Sequence, residues 1–205
     1  MHRAATTGLP TPADYHAAWK AQRYLKRLST APGRDGLSRI PDEPISLTEP
    51  RRISLPLYGM AKWRDCFTSR QLLALCRLSQ RANQAEMSVP VRRVLALAIS
   101  RSVNAVSTIS RWHSTRENIE GAYSRQALGI VWDFCEGSFV SESTGSFYGA
   151  LDWIDAVIAN NCSQHIAQVE RADAAHSPQP SEGTGVWFTD PPYYDSVPYS
   201  HWAME

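Results

Sequence analysis

Apolar positions recur at helical spacing in four stretches of this chain, and one short unbroken apolar run lies near its end. The first stretch, from Pro12 to about Ser29, predicts a helix whose polar side carries Lys20, Arg23, Lys26 and Arg27. That basic side reads first as a solvated helix surface, with contact to phosphate as the alternative. Residues 30–57 are interrupted by Pro32-Gly33, Asp35-Gly36, Pro41, Pro44, Pro50 and Pro56, and predict a connector or extended loop. Thr68 or Ser69 can cap a second helix running through Leu78.

A third and longer helix is predicted from about Pro90 to Ser110, with Leu95, Ala98, Ile99, Val103 and Val106 as its apolar stripe. Ser124 to Glu136 mixes a helical start with a short β-like end, and Trp132, Asp133 and Phe134 are expected to pack in the core. Ser146 opens the clearest amphipathic pattern, in which Phe147, Ala150, Leu151, Ile154, Val157 and Ile158 share a face. Asn160-Asn161 is its expected end. After a polar, turn-rich loop at 171–185, Val186-Trp187-Phe188-Thr189 reads as a buried parallel strand. Three segments follow: 1–57, basic helix and connector; 58–170, a helical region; 171–205, loop, strand and what the strand delivers.

Composition adds little to this outline. With 43% hydrophobic and 20% charged residues, the 205-residue chain has the make-up of a soluble globular protein. A formal charge of +1 supplies no global attraction to nucleic acid, so any such binding needs a local patch. Cys66, Cys76, Cys135 and Cys162 are widely separated, form no C-x-x-C pair, and read as reduced thiols of a cytoplasmic protein. No metal site is expected, and neither a signal peptide nor a membrane span is legible.

The chemistry sits after the short apolar run. Strand ends are where open α/β sheets place ligands, and this one delivers Asp190-Pro191-Pro192-Tyr193, followed by Tyr194. These residue types suit methylation of an exocyclic amine on a planar base. The amine lone pair is delocalised into the ring. Acceptors that take both its N–H groups, here the Asp190 carboxylate and the Pro191 carbonyl, free that pair for attack. Two successive prolines hold the acceptors in place, and Tyr193 offers a face on which a flipped base can stack. On average residue usage this ordered tetrapeptide arises by chance in about one chain in a thousand of this length. A Pro-Pro turn with Tyr193 and Tyr194 as packing residues is the bland alternative, and that frequency sets it second.

These residues resemble motif IV of the amino-methyltransferases, written D/N/S-P-P-Y/F, in the Asp form typical of enzymes acting on adenine N6 in DNA. The longer stretch Thr189–Tyr199 is similar to that of the large DUF1156-type adenine-specific DNA methylases. So are Tyr58-Gly59-Met60, Phe67–Leu75, Arg111–Glu117, and Arg125–Leu128 with Val131–Phe134. The resemblance implies an α/β fold, part of a Rossmann-like methyltransferase domain, mostly helical in this segment, with a C-terminal catalytic strand ending in Asp-Pro-Pro-Tyr. It implies S-adenosylmethionine as cofactor, double-stranded DNA as substrate and N6-methyladenine as product.

Asp190, Pro191, Pro192 and Tyr193 would be the catalytic set, with Tyr193, Tyr194 and Tyr199 on the base. Arg111, His113 and Arg116 are candidates for DNA phosphate or the cofactor carboxylate, with a polar helix end as the equal alternative. His113 is not needed as a base, because the amine can lose its proton after methylation. The family's glycine-rich cofactor loop is not found; Gly183-Thr184-Gly185 precedes the strand where it ought to follow one. Its zinc-ribbon cysteines are missing too. The chain therefore reads as the middle of an enzyme, with the remaining segments of the parent as partners. Methylation of RNA, protein glutamine or cytosine N4 stays open, as does an inactive helical interaction module.

Overall fold

The computed structural model describes residues 9–31, 33, 36–46, 55–84, 86–124, 128–142, 145–160 and 188. Among these the protein is mostly helical, with one small antiparallel sheet. Its α-helices are α1 (Pro12–Thr30), α2 (Ser69–Gln84), α3 (Val89–Ala105) and α4 (Phe147–Asn160). Two three-residue strands, β1 (Arg111–His113) and β2 (Asn118–Glu120), lie between α3 and α4. The helices pack in chain order: α1 on α2, α2 on α3, and α3 on α4. None of the described helices is long and apolar enough to cross a membrane.

Local chemistry sets most of these boundaries. At the start of α1, the Asp14 carboxylate accepts the Thr11 N–H at 2.8 Å and its hydroxyl at 2.6 Å. Thr68, not Ser69, caps α2. Its N–H donates to Gln71 Oε1 (2.9 Å) while its Oγ1 accepts the Gln71 N–H (3.3 Å), a reciprocal capping box. Ser146 caps α4 by accepting the Gly149 N–H at 3.1 Å. Gly145, just before it, has φ 85° and abuts Ala105 at the end of α3, so a side chain there meets both strain and a clash.

The long third helix stops earlier than its apolar stripe suggests, at Ala105 in place of Ser110. The cause is a run of hydroxyl residues that offers the backbone other partners. Thr108 donates both its N–H (2.8 Å) and its hydroxyl (2.9 Å) to the Cys66 carbonyl. Ser110 donates its hydroxyl to the Asn104 carbonyl (3.1 Å) and lies 2.7 Å from the Ser107 hydroxyl. These bonds turn the chain off the helix axis and into β1.

Three apolar clusters form the core. Leu25, Leu28, Ile40 and Leu72 join α1 to α2; Ile45, Leu55, Cys66 and Leu128 collect the loops; Leu75, Val106 and Phe139 lie between α2 and α3. Phe67, half-buried, packs against all three. The Pro/Gly-rich connector thus contributes buried Ile40, Ile45 and Leu55 and is part of the body, not a spacer.

Two sequence expectations fail on packing. Trp132 is 82% exposed and Asp133 is exposed, so this triplet is not core. Trp132 meets Tyr58 edge-on at 5.8 Å instead, and only Phe134 is half-buried, bridging to Arg111. On α4, Ala150 is buried, whereas Val157 and Ile158 at the far end of the apolar face are exposed.

Candidate functional site

Residues 111–120 fold as a hairpin because their pattern changes from helical to alternating. Trp112 and Ile119 point to one side, and Ile119 is buried. The register pairs Arg111 with Glu120, Trp112 with Ile119 and His113 with Asn118. Residues 114–117 turn the corner, with Glu117 in the left-handed region at φ 49°. Arg111 and His113 therefore share the polar side of the ribbon with Asn118 and Glu120.

The three candidates from this part of the sequence are brought together, though not at a helix end. The alternative of a polar helix end is thereby corrected: α3 ends at Ala105, and Arg111 and His113 lie on β1 with Arg116 in the turn. Arg111 forms an ion pair with Glu120 through Nη2 and Oε2. His113 Nδ1 accepts the Arg116 N–H at 3.2 Å, which leaves the ring proton on Nε2, 4.0 Å from Glu120 Oε1. Sequence reasoning missed Glu120. The available signal was cross-strand: an opposite charge facing Arg111 once the turn at 114–117 is recognised.

Glu117 and Glu120 offset Arg111 and Arg116, so the hairpin is polar but carries no net formal charge. An anion that binds here competes with Glu120 for the Arg111 guanidinium. Asn118 Oδ1 is sheltered and has no hydrogen-bond partner among the described residues.

A second polar group converges at the start of α2. Glu136 accepts Arg70 Nε (3.0 Å), Arg70 Nη2 (2.8 Å) and the Thr68 hydroxyl (2.9 Å). With three donors already satisfied, this carboxylate serves to tie the 128–142 segment to the helix start. The thiols of Cys66 and Cys76 are poor nucleophiles. Burial pushes Cys66 up to about 12, helped by the neighbouring Asp65 charge, and burial raises Cys76 as well.

A cleft of about 720 Å³ opens beside α2 and α3, floored by Phe67, Leu72, Leu75, Ile99 and Val103. Arg111, His113 and Arg116 do not line it. The cleft has this apolar floor and polar walls that include Arg39, Glu43 and Gln80, and it is separate from the hairpin, so the two do not make one site.

Asp190, Pro191, Pro192, Tyr193, Tyr194 and Tyr199 lie outside the described residues, as does the loop at 171–185. Of the expected strand only Phe188 is described; it belongs to no strand and is 94% exposed. The chain matches no protein-family model, no curated protein and no solved structure.

Proposed function

We propose that this chain carries the target-amine site of an S-adenosylmethionine-dependent methyltransferase acting on adenine N6 in double-stranded DNA. The observation that carries the reading is Asp190-Pro191-Pro192-Tyr193 directly after the apolar run Val186–Thr189. In this reading the segment belongs to a Rossmann-like methyltransferase domain, and its mostly helical body is an insertion before the catalytic strand.

Asp190 and the Pro191 carbonyl accept the two amine N–H groups and release the nitrogen lone pair. Tyr193 stacks on the base, and Tyr194 and Tyr199 line its edge. The proton leaves after transfer, to Asp190 or to water. The methyl donor is an electrophilic sulfonium. The described residues contain no strand, glycine loop and helix in succession. The glycines with positive φ, Gly36, Gly59 and Gly145, follow no strand that leads into a helix. Further segments of the parent enzyme hold the cofactor in this reading.

The test has two parts. Calorimetric titration of S-adenosylmethionine into the 205-residue chain is expected to give no saturable binding. With the cofactor-binding segments of a parent enzyme added, labelled methyl groups are expected in duplex DNA, as N6-methyladenine after digestion. Label in RNA, in protein or at cytosine N4 would transfer the same amine chemistry to another substrate. No label anywhere, with cofactor bound, would leave a helical interaction module.

A further inference from the structure

We propose that the solvent side of α1 is a docking surface for the sugar–phosphate backbone of duplex DNA. The choice of DNA as the polyanion rests on the proposed function; the surface itself rests on geometry. Ala21, Leu25 and Leu28 are the buried residues of α1, and Leu25 and Leu28 pack with Ile40 and Leu72. At roughly 100° per residue, Lys20, Arg23, Lys26 and Arg27 fall within an arc of about 120° centred away from that core side. All four are exposed.

Their charge is also unspent. Among the described residues, no carboxylate lies within ion-pair distance of Lys20, Arg23, Lys26 or Arg27, whereas Arg64, Arg70 and Arg111 are each paired. Four cations against the single Asp14 give α1 a formal +3 in a chain whose total is +1. This is the local patch that the near-neutral composition requires for nucleic-acid binding. Lys20 to Arg27 spans roughly 10 Å, along which a duplex presents about six phosphates.

The aromatic content of the same side fits a backbone contact better than a membrane. Trp19 is 55% exposed, and the Arg23 guanidinium lies 4.7 Å from its ring centroid. A guanidinium held over an aromatic ring still has N–H donors to offer a phosphate. A helix that enters a lipid surface must offer an apolar side to the bilayer. Here the apolar side is already spent on α2 and the connector.

The test is binding of the full chain to a duplex made only of G·C pairs, followed by fluorescence anisotropy across a salt series. That duplex has no adenine, so its binding reports on the surface and is independent of whether the amine chemistry is right. Combined Lys20→Gln, Arg23→Gln, Lys26→Gln and Arg27→Gln should weaken binding on the order of 100-fold and flatten the log–log salt slope by about 3 to 4. Glutamine keeps helix propensity, and far-UV circular dichroism checks that α1 survives. The milder pair Lys20→Gln with Arg27→Gln should remove about half of that slope. Arg92→Gln with Arg93→Gln on α3 should change it less. An unchanged slope in the four-fold and two-fold variants would overturn the proposal. So would equal loss in the α3 control, or capture by phosphatidylserine vesicles without binding to the duplex.

Discussion

Arg70 and Glu136, 66 positions apart in sequence, meet through two parallel hydrogen bonds at 3.0 and 2.8 Å. The Thr68 hydroxyl, itself the cap of α2, adds a third bond to the same carboxylate at 2.9 Å. The carboxylate thus lies against the first turn of α2, where the helix dipole favours negative charge. One side chain fastens the 128–142 segment, and with it the bridge from Phe134 to Arg111, to a helix start. The Arg70 side chain is 42% exposed and that of Glu136 24%, so solvent screens part of the attraction.

Glu136→Gln should therefore destabilise by about 1 kcal/mol, as should Arg70→Lys, which keeps the charge and loses the fork. A double-mutant cycle in urea with Arg70→Ala and Glu136→Ala should return a coupling of similar size. A coupling indistinguishable from zero would make the pair incidental to folding.

Phe67 is the second residue on which distant segments converge. It packs against the cluster between α1 and α2, the loop cluster around Leu55, and the cluster between α2 and α3. It also lines the 720 Å³ cleft, which gives neighbouring side chains no filler when the ring is removed. Phe67→Ala should cost about 3 kcal/mol, the low end for an aromatic because the ring is half-buried. Phe67→Leu should recover most of it. The measurement is the urea midpoint of each variant; a loss below about 1 kcal/mol would mean that the three clusters do not depend on this ring.

How far the sequence carries this picture depends on what each element needs. Helix starts are local, and Thr11 with Asp14, Thr68 with Gln71, and Ser146 before Phe147 place α1, α2 and α4 to within a residue or two. The end of α3 is not local. The apolar stripe runs on through Val106, but the Cys66 carbonyl, more than forty residues away, draws off Thr108. The hairpin is harder still, because strands of three residues are too short for alternation to outweigh a cluster of Arg and His. Glu120 becomes visible only with the register in hand. Trp132 misleads because a large apolar side chain in a mixed segment reads as core until its neighbours are known. The chemistry proposed for Asp190–Tyr193 rests on residue types and their order alone, because these positions lie outside the described residues.

Cys66 gives the fold a pH dependence whose sign can be worked out. Burial raises the thiol from an ordinary value of 9.0 to about 12, so the folded state keeps its proton where the unfolded chain has lost it. Below pH 9 both states are protonated and this group contributes no slope. Between pH 9 and about 12 the unfolded state binds fewer protons, and stability falls as pH rises, by at most about 1.4 kcal/mol per unit. Urea midpoints at about pH 8, below the window, and about pH 10.5, within it, should diverge for the wild type. The divergence should shrink in Cys66→Ala, which isolates this thiol from Cys76 and Tyr123, both also raised by burial. The same divergence in both proteins would assign the effect to those other groups.

In the proposed methyltransferase, variants at Asp190 and Tyr193 separate amine activation from base stacking. In the methylation-competent enzyme, Asp190→Ala removes an acceptor needed only as the amine nitrogen turns tetrahedral. Methyl transfer should fall by roughly 100-fold or more, while the affinity for S-adenosylmethionine changes little. Asp190→Asn keeps one acceptor oxygen without the charge and should fall in between. Tyr193→Phe retains the ring and should leave most productive base binding, whereas Tyr193→Ala should raise KM by roughly 10-fold, as loss of a stacking face does. Single-turnover rates at saturating DNA distinguish the two roles: the Asp190 defect persists at saturation and the Tyr193→Ala defect largely disappears. Full turnover in Asp190→Ala would take that carboxylate out of the chemistry. Equal losses from the two Tyr193 variants would assign the work to the hydroxyl and not to the ring.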